Sequence, residues 1–295
     1  MKALVIYNPA AGGGQEQKLQ RFLAALEQRH VAVTLYRTRA PNDATDYLQS
    51  LQDQGDVVVA VGGDGTTNEV INGLKPGTPL ALLATGTANV LAKELGLPSH
   101  PERAAAVIAA GRDLEIWPAR VGERRFVMMA GLGYDAWVVH GVDLALKARV
   151  GKLAYVLSMI RQISGYGSKR YRLLVDGRPH DCFSAIITNG RYYGGSFLLS
   201  RRADITRPRM QVLMFQSPGI ASLLRFLLAL LFGRMENMAG VQSVEATRVV
   251  LASPHGEPVQ TDGDPAGVLP LTLAVDAEPV PVRVPSRTLR QLGKL

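Results

Sequence analysis

Residues 57–72, VVVAVGGDGTTNEVIN, constrain the fold of this chain more than any other stretch. An apolar run ends in a double glycine, an aspartate and another glycine, and residues suited to start a helix follow at once. Backbone amides then gather at a strand's end beside one carboxylate, which is the geometry of an anion cradle. Thr66 followed three residues later by Glu69 has capping-box spacing, so the helix is expected to begin where the glycines stop, with Thr66 as its N-cap. GGDG alone fits a tight strand-to-helix turn without a ligand equally well, and the other loops decide between the two.

Residues 2–7 form an apolar run suited to a buried parallel strand, and they enter a loop over 8–14 that contains Asn8, Pro9 and three glycines. A helix is expected over 17–29, with Leu19, Phe22, Leu23 and Leu26 on one face. A second strand over 31–36, a loop over 38–42 and a helix over 43–52 follow. The fourth strand, 79–83, leads into Thr85-Gly86-Thr87-Ala88-Asn89 and a helix over 90–95 that Gly96 and Pro98 stop. Strands alternating with helices predict a parallel sheet, whose ligands lie outside the carboxyl ends of its strands. All four loops, at 8–14, 38–42, 62–66 and 85–89, fall at such ends. That shared position puts a phosphate or nucleotide site ahead of a bare turn.

A length of 295 residues favours two domains over one. The single cysteine, Cys182, excludes an internal disulfide framework and any thiolate metal cluster, and a cytoplasmic setting is the expectation. The first residues lack a signal-peptide core, and no apolar run reaches the roughly 20 residues that span a bilayer, so the protein is expected to be soluble or peripherally membrane-associated at most. A net charge of +8, with lysines and arginines frequent over 147–209, directs attention to anionic partners. Without a helix-turn-helix, zinc-finger or RNP-like pattern, nucleic acid is not expected among them. The lack of G-x-x-x-x-G-K-[ST], H-R-D and D-F-G motifs excludes P-loop and protein-kinase chemistry.

From Asp113 the sequence changes to short β-rich runs, as expected of a second domain. Val175-Asp176-Gly177-Arg178 predicts a hairpin turn between strands at 171–174 and 182–188, with Cys182 a half-buried filler. Gly131-Leu132-Gly133-Tyr134-Asp135-Ala136 matches G-x-G-x-x-A, but no complete βαβ unit follows, so it reads as a structural turn. A helix within 139–163 carries Lys147, Arg149, Lys152 and Arg161. They form a solvated face or, with Arg201, Arg202, Arg207 and Arg209, a basic rim for anionic headgroups. Residues 220–232 are apolar around most of a helical wheel, with Ser222 and Arg225 on the polar strip. Burial between sheet and domain is expected for that helix, and membrane docking is the alternative. A D-G turn accounts for Asp262 and Gly263.

NPAAGG, GGDGTTNEV and GTANVLAKELGLP, in that order, resemble the diacylglycerol kinase catalytic-domain family, which comprises soluble bacterial lipid kinases together with sphingosine and ceramide kinases. GLGYDA, TNGRYYGGSF and TDGDP extend the resemblance over most of the chain. GGDG by itself is shared with NAD kinases and phosphofructokinases; the combination of motifs is what is specific. The resemblance implies an α/β N-terminal domain with a parallel sheet and helices on both faces, and a mainly antiparallel β C-terminal domain. Its boundaries would be 1–115 and 116–285, with 286–295 packing back on the first domain and a cleft for MgATP and a lipid alcohol.

By family position, Asn8, Pro9, Gly12, Thr38, Gly62, Gly63, Asp64, Gly65, Thr66, Asn68, Glu69 and Thr87 would bind the nucleotide. Asp64 would meet the catalytic magnesium directly or through water. Asp264 would receive the proton of the lipid hydroxyl, although the family's usual residue there is glutamate, one methylene longer. Over 203–210 an arginine and a proline stand where relatives carry an Asp-Gly pair tied to a structural magnesium, so no second metal site is expected. The implied function is ATP-dependent transfer of the γ-phosphate to a diacylglycerol-like lipid in phospholipid metabolism, at an anionic membrane surface, with a homodimer left open. An NAD kinase-like phosphotransferase and a non-catalytic lipid or nucleotide sensor are the rivals.

Overall fold

The apolar runs of the first half become strands β1 (Lys2–Tyr7), β2 (Ala32–Arg37), β3 (Val57–Gly62) and β4 (Leu80–Ala84). Each leads into a helix: α1 (Gln15–Glu27), α2 (Asp43–Ser50), α3 (Asp64–Gly73) and α4 (Val90–Glu94) respectively. Helix α5 (Pro101–Ala110) and strand β5 (Arg112–Ile116) follow. These elements come from a computed structural model that describes residues 1–10, 15–143 and 153–294. The sheet runs β2-β1-β3-β4, then the strand Val280–Val284, then β5. Strands β1 to β4 are mutually parallel, and Val280–Val284 is parallel to β4 and antiparallel to β5. Every residue of β3 is buried, as a continuous apolar run in the middle of a parallel sheet requires. Leu19, Phe22 and Leu26 of α1 share a core with Val5, Val59 and Leu83 of the sheet.

Two compact units divide the chain: Met1–Trp117 with Ala277–Leu295, and Pro118–Asp276. The expected end of the second domain at 285 therefore lies too late. Val280–Val284 returns to complete the first sheet, a pairing between distant segments that local pattern does not reveal. The last helix, Ser286–Gln291, sits on the first unit, where the Thr288 hydroxyl donates to the Leu95 carbonyl at 2.9 Å.

The start of α3 also departs from expectation. Gly63, extended at φ −94° and ψ −167°, is the N-cap, and its carbonyl accepts the Thr67 N–H at 3.0 Å. Thr66 is already helical and buried, and its hydroxyl accepts a hydrogen bond from Asn8 Nδ2 at 3.1 Å, so there is no capping box with Glu69.

The second unit holds two six-stranded antiparallel sheets. One runs Arg178–Cys182, Tyr171–Val175, Arg248–Ser253, Leu271–Val275, Ala119–Val121, Arg124–Phe126. The other runs Val241–Ala246, Met210–Phe215, Ser184–Thr188, Met129–Leu132, Pro258–Thr261, Asp264–Val268. Leu173, Leu251 and Leu273 of the first share one core with Leu132, Ile187 and Val212 of the second, the face-to-face packing of a sandwich.

The Asp176-Gly177 turn pairs Val175 with Arg178, so the hairpin's second strand is Arg178–Cys182 and not 182–188. That strand is a polar edge, which explains why its apolar neighbour was the stronger signal. Ser184–Thr188 pairs instead with Met210–Phe215 and Met129–Leu132. Cys182 is fully rather than half buried, and burial pushes its thiol up to about 12.

Helices α6 (Tyr134–His140), α7 (Leu153–Gln162) and α8 (Ile220–Leu231) also belong to this unit. Lys147, Arg149 and Lys152 lie outside the described residues, and Arg161 is exposed on α7. The expected burial of α8 does not occur. Leu223, Phe226 and Ala229 face inward, and so does Ser222 of the supposed polar strip, while a large apolar face remains in solvent. Among the described residues, no helix is long and apolar enough to cross a membrane.

Candidate functional site

The carboxyl ends of β1 to β4 come to one edge of the first sheet, where their loops are bonded to one another. Asn8 N–H donates to the Val61 carbonyl at 3.1 Å and Thr38 N–H to the Tyr7 carbonyl at 2.9 Å. The Gly62 carbonyl accepts the N–H groups of Thr85 at 2.8 Å and Gly86 at 3.3 Å. Gln15 Nε2 donates to the Thr85 carbonyl at 3.0 Å, and the Thr85 hydroxyl donates back to Gln15 Oε1 at 2.5 Å.

Glycine is needed where the two central loops touch. A Cβ on Gly86 would lie 2.5 Å from Gly63 Cα, whereas a Cβ on Gly65 would meet nothing within 4 Å. The first glycine lets backbone pass backbone; the second opens the start of α3 to solvent, leaving N-terminal amides and a helix dipole for an anion. Pro9 and Thr87 are exposed beside this edge, and Thr38 is buried within it. Asn68 is buried, and its Oδ1 accepts a hydrogen bond from Asn72 Nδ2 one turn further along α3. Glu69 is partly buried, and its carbonyl accepts the Thr45 hydroxyl of α2 at 2.8 Å. Gly12 lies outside the described residues.

Asp64 opens α3 and reaches across to α4, where Oδ1 accepts the Val90 N–H at 2.6 Å. Burial pushes its carboxyl above the ordinary range, while the amides of Val90, Asn89 and Leu91 and the charge of Lys93 pull it back. At the same helix start, Asn89 Oδ1 is buried without a donor among the described residues. A carboxylate and an orphan amide oxygen are hard oxygen donors of the kind magnesium takes, with phosphate and water supplying the rest. Among the described residues, no group of three His, Cys, Asp or Glu side chains gathers as a cage, so the residues present fit an ion that arrives with phosphate.

In the second unit, Asp264 follows a two-residue turn. Asp262 and Gly263 have φ of 50° and 87°, and Thr261 pairs with Asp264 across them, the backbone of a tight hairpin that Asp-Gly suits. The Asp262 carboxylate accepts the N–H groups of Val127, Met128 and Met129 at 2.7, 2.8 and 3.0 Å, which anchors the turn. Asp264 itself is partly exposed, and no described residue occupies its carboxylate with an ion pair or side-chain hydrogen bond.

Behind the turn lies a polar network that motif reading missed. Gly263 N–H donates to Gln260 Oε1 at 2.8 Å, Gln260 Nε2 donates to Asp135 Oδ2 at 2.5 Å, and the Tyr193 hydroxyl donates to Asp135 Oδ1. Burial pushes the Asp135 carboxyl up, and its two donors pull it down. A Cβ on Gly131 would lie 1.7 Å from Asp135 Oδ2, so the first glycine of GLGYDA makes room for this carboxylate. The signal was present in that motif, but spacing alone did not say that the aspartate turns inward.

Two family models match the chain. The one described as "Diacylglycerol kinase catalytic domain" covers residues 2–121, and "YegS C-terminal NAD kinase beta sandwich-like domain" covers 128–285. A diacylglycerol kinase of Mycobacterium tuberculosis is 30% identical over 298 residues, covering 96% of this chain and 94% of its own. One from Bacillus subtilis is 26% identical over 277 residues, covering 91% of each. In fold, the chain is similar to a crystal structure of a diacylglycerol kinase from Bacillus anthracis, with a TM-score of 0.79, 24% identity and 96% of each chain covered. It is more distantly similar to an NAD kinase from Archaeoglobus fulgidus in complex with ATP, with a TM-score of 0.55, 16% identity, and 100% and 98% covered.

Proposed function

Since the chain belongs to the diacylglycerol kinase family, we propose that it transfers the γ-phosphate of ATP to the hydroxyl of a diacylglycerol-like lipid. The observation that carries this reading is the open start of α3 at Gly65, bonded into an edge of four loops with Asp64 beside it. Phosphoryl transfer asks mainly for positioning and charge stabilisation. Amides from Gly63 to Thr66 and the positive end of α3 supply both for phosphate oxygens. Asn8 holds Thr66 in place, and Thr38 and Thr87 border the nucleotide. Asp64 would hold magnesium directly or through water, and the ion when bound neutralises phosphate charge.

Asp264 is assigned to the acceptor. The lipid oxygen bonds to the γ-phosphorus, the bond to the bridging oxygen breaks, ADP leaves, and the hydroxyl proton passes to Asp264. A carboxylate is a far weaker base than the alkoxide it would have to make, so Asp264 acts chiefly by orienting the hydroxyl and takes the proton late. Such an acceptor sits in a bilayer, and peripheral contact with an anionic membrane belongs to the same reading; a homodimer stays open.

The rival acceptor is NAD, favoured only by the distant NAD kinase likeness. Incubation with γ-labelled ATP, magnesium and a panel of dispersed lipid alcohols, with NAD as a separate arm, tests the assignment. Label in lipid supports it, label in NAD alone transfers the site to the rival, and no label in any acceptor leaves a sensor.

A further inference from the structure

Helix α8 presents to solvent what its sequence is expected to bury. Ser222, Leu223, Phe226 and Ala229 form its inner face, with Phe226 packed against Phe215 at 5.0 Å and Tyr166 at 6.4 Å between ring centroids. The outer face carries Leu224, Leu228 and Leu231, which are 47%, 53% and 60% exposed, and just past its end Phe232 is 73% exposed. Four large apolar side chains at spacings of four, three and one residues make a stripe that ends in an aromatic, and a patch of this kind marks an interaction site.

The charge around the end of α8 says what kind. Helix α8 runs into a short turn, Met235–Asn237. Glu236 of that turn accepts the Ser200 hydroxyl and the backbone N–H of Arg201 at 2.9 Å and of Arg202 at 3.4 Å. The clamp spends the Glu236 carboxylate on neutral donors and pins two exposed arginines beside the helix end, next to exposed Arg234. Among the described residues none of these three guanidinium groups forms a salt bridge. Phe197, also exposed, lies on a short hairpin in which Tyr192–Tyr193 pairs with Phe197–Leu198, and Leu198 approaches Gly233 at the same end.

We propose that the end of α8 is a membrane-docking surface, with Leu228, Leu231, Phe232 and Phe197 entering the acyl boundary and Arg201, Arg202 and Arg234 on anionic headgroups. An apolar protein partner would leave the unpaired arginines without purpose, whereas an anionic bilayer takes both features at once. The choice of a lipid surface rests on the lipid-kinase reading, but the docking is measured without catalysis.

The experiment is sedimentation with sucrose-loaded vesicles of phosphatidylcholine, with and without phosphatidylglycerol, in the absence of ATP. Wild-type protein is expected to pellet with anionic vesicles, scarcely with neutral ones, and less as salt rises. Leu228→Glu should weaken binding at least tenfold without a shift in Tm, because the side chain is solvent-facing. Phe232→Ser, outside the helix proper, repeats the test should the first variant misfold. Arg201→Ala with Arg202→Ala should cost about fivefold per arginine on anionic vesicles. Binding that ignores lipid charge, or folded Phe232→Ser protein that binds as wild type, overturns the proposal. So does a dimer in solution that these variants dissociate while vesicle binding stays the same. Vesicle binding that follows these expectations in a protein that transfers no phosphate to lipid would sink the kinase reading and leave the docking surface standing.

Discussion

Asp64 Oδ1 accepts the Val90 backbone N–H at 2.6 Å, so one carboxylate ties the first turn of α3 to the first turn of α4. The residue assigned to magnesium thus has a structural task as well, and two substitutions separate the tasks. Asp64→Asn keeps an oxygen acceptor for Val90 but loses the charge. It should fold with a near-normal Tm and lose nearly all phosphate transfer. Asp64→Ala removes the acceptor too and should cost about 1.5–3 kcal/mol of stability. Near-normal turnover by the asparagine variant counts against the magnesium role.

Gly65 and Gly86 make a matched pair of tests at the cradle. A Cβ at Gly65 meets no protein atom within 4 Å, so Gly65→Val should fold and yet bind ATP at least tenfold more weakly, about 1.4 kcal/mol. A Cβ at Gly86 would meet Gly63 Cα at 2.5 Å, so Gly86→Val should lower Tm outright. Titration calorimetry and thermal melts read the two effects. Undiminished ATP affinity in Gly65→Val would remove the phosphates from this edge.

Asp135 predicts a pH dependence. Burial raises its carboxyl above the ordinary 3.8, so between 3.8 and the folded-state value the folded protein holds a proton that the unfolded chain has lost. Stability from this group is therefore present in acid and falls as pH rises through that window. Asp135→Asn has no such proton, and the Tyr193 hydroxyl can turn to accept from the new amide. Denaturant titrations across pH should show wild type favoured over the variant most at the acid end, with the gap narrowing or reversing toward neutrality. Parallel curves would mean that the carboxyl is not perturbed.

The elements of the first unit were legible because each signal was local. The apolar runs that became β1 and β3 have the length and texture of buried parallel strands, and in a parallel sheet the glycine-rich loops at successive strand ends share an edge. Failures came where a decision depended on distant partners. Thr66 matches an N-cap by spacing, but Asn8 takes its hydroxyl and the extended Gly63 starts the helix instead. Strand Val280–Val284 has the texture of the second unit and the hydrogen bonds of the first. In α8 a helical wheel shows apolar residues nearly all round; which side faces inward was settled by Phe226 finding Tyr166 and Phe215. Leu227 is half-buried whereas its neighbour Leu228 is exposed, a difference that the helical wheel does not show. For the candidate site, the motifs marked the GGDG turn and Asp264. Asp135 and Gln260 became visible only when the turn was seen to rest on them.

Single-turnover transfer of γ-labelled phosphate to a dispersed diacylglycerol tests the central claim most directly, with wild type, Asp264→Asn and Asp264→Glu compared at saturating MgATP. A positioned carboxylate contributes about 10²–10⁴-fold to such a step. The account predicts label in the lipid with wild type, a loss of at least a hundredfold in the asparagine variant at unchanged ATP affinity, and retained transfer in the glutamate variant. Label that stays on the nucleotide with wild type, or asparagine protein that transfers at the wild-type rate, would contradict it.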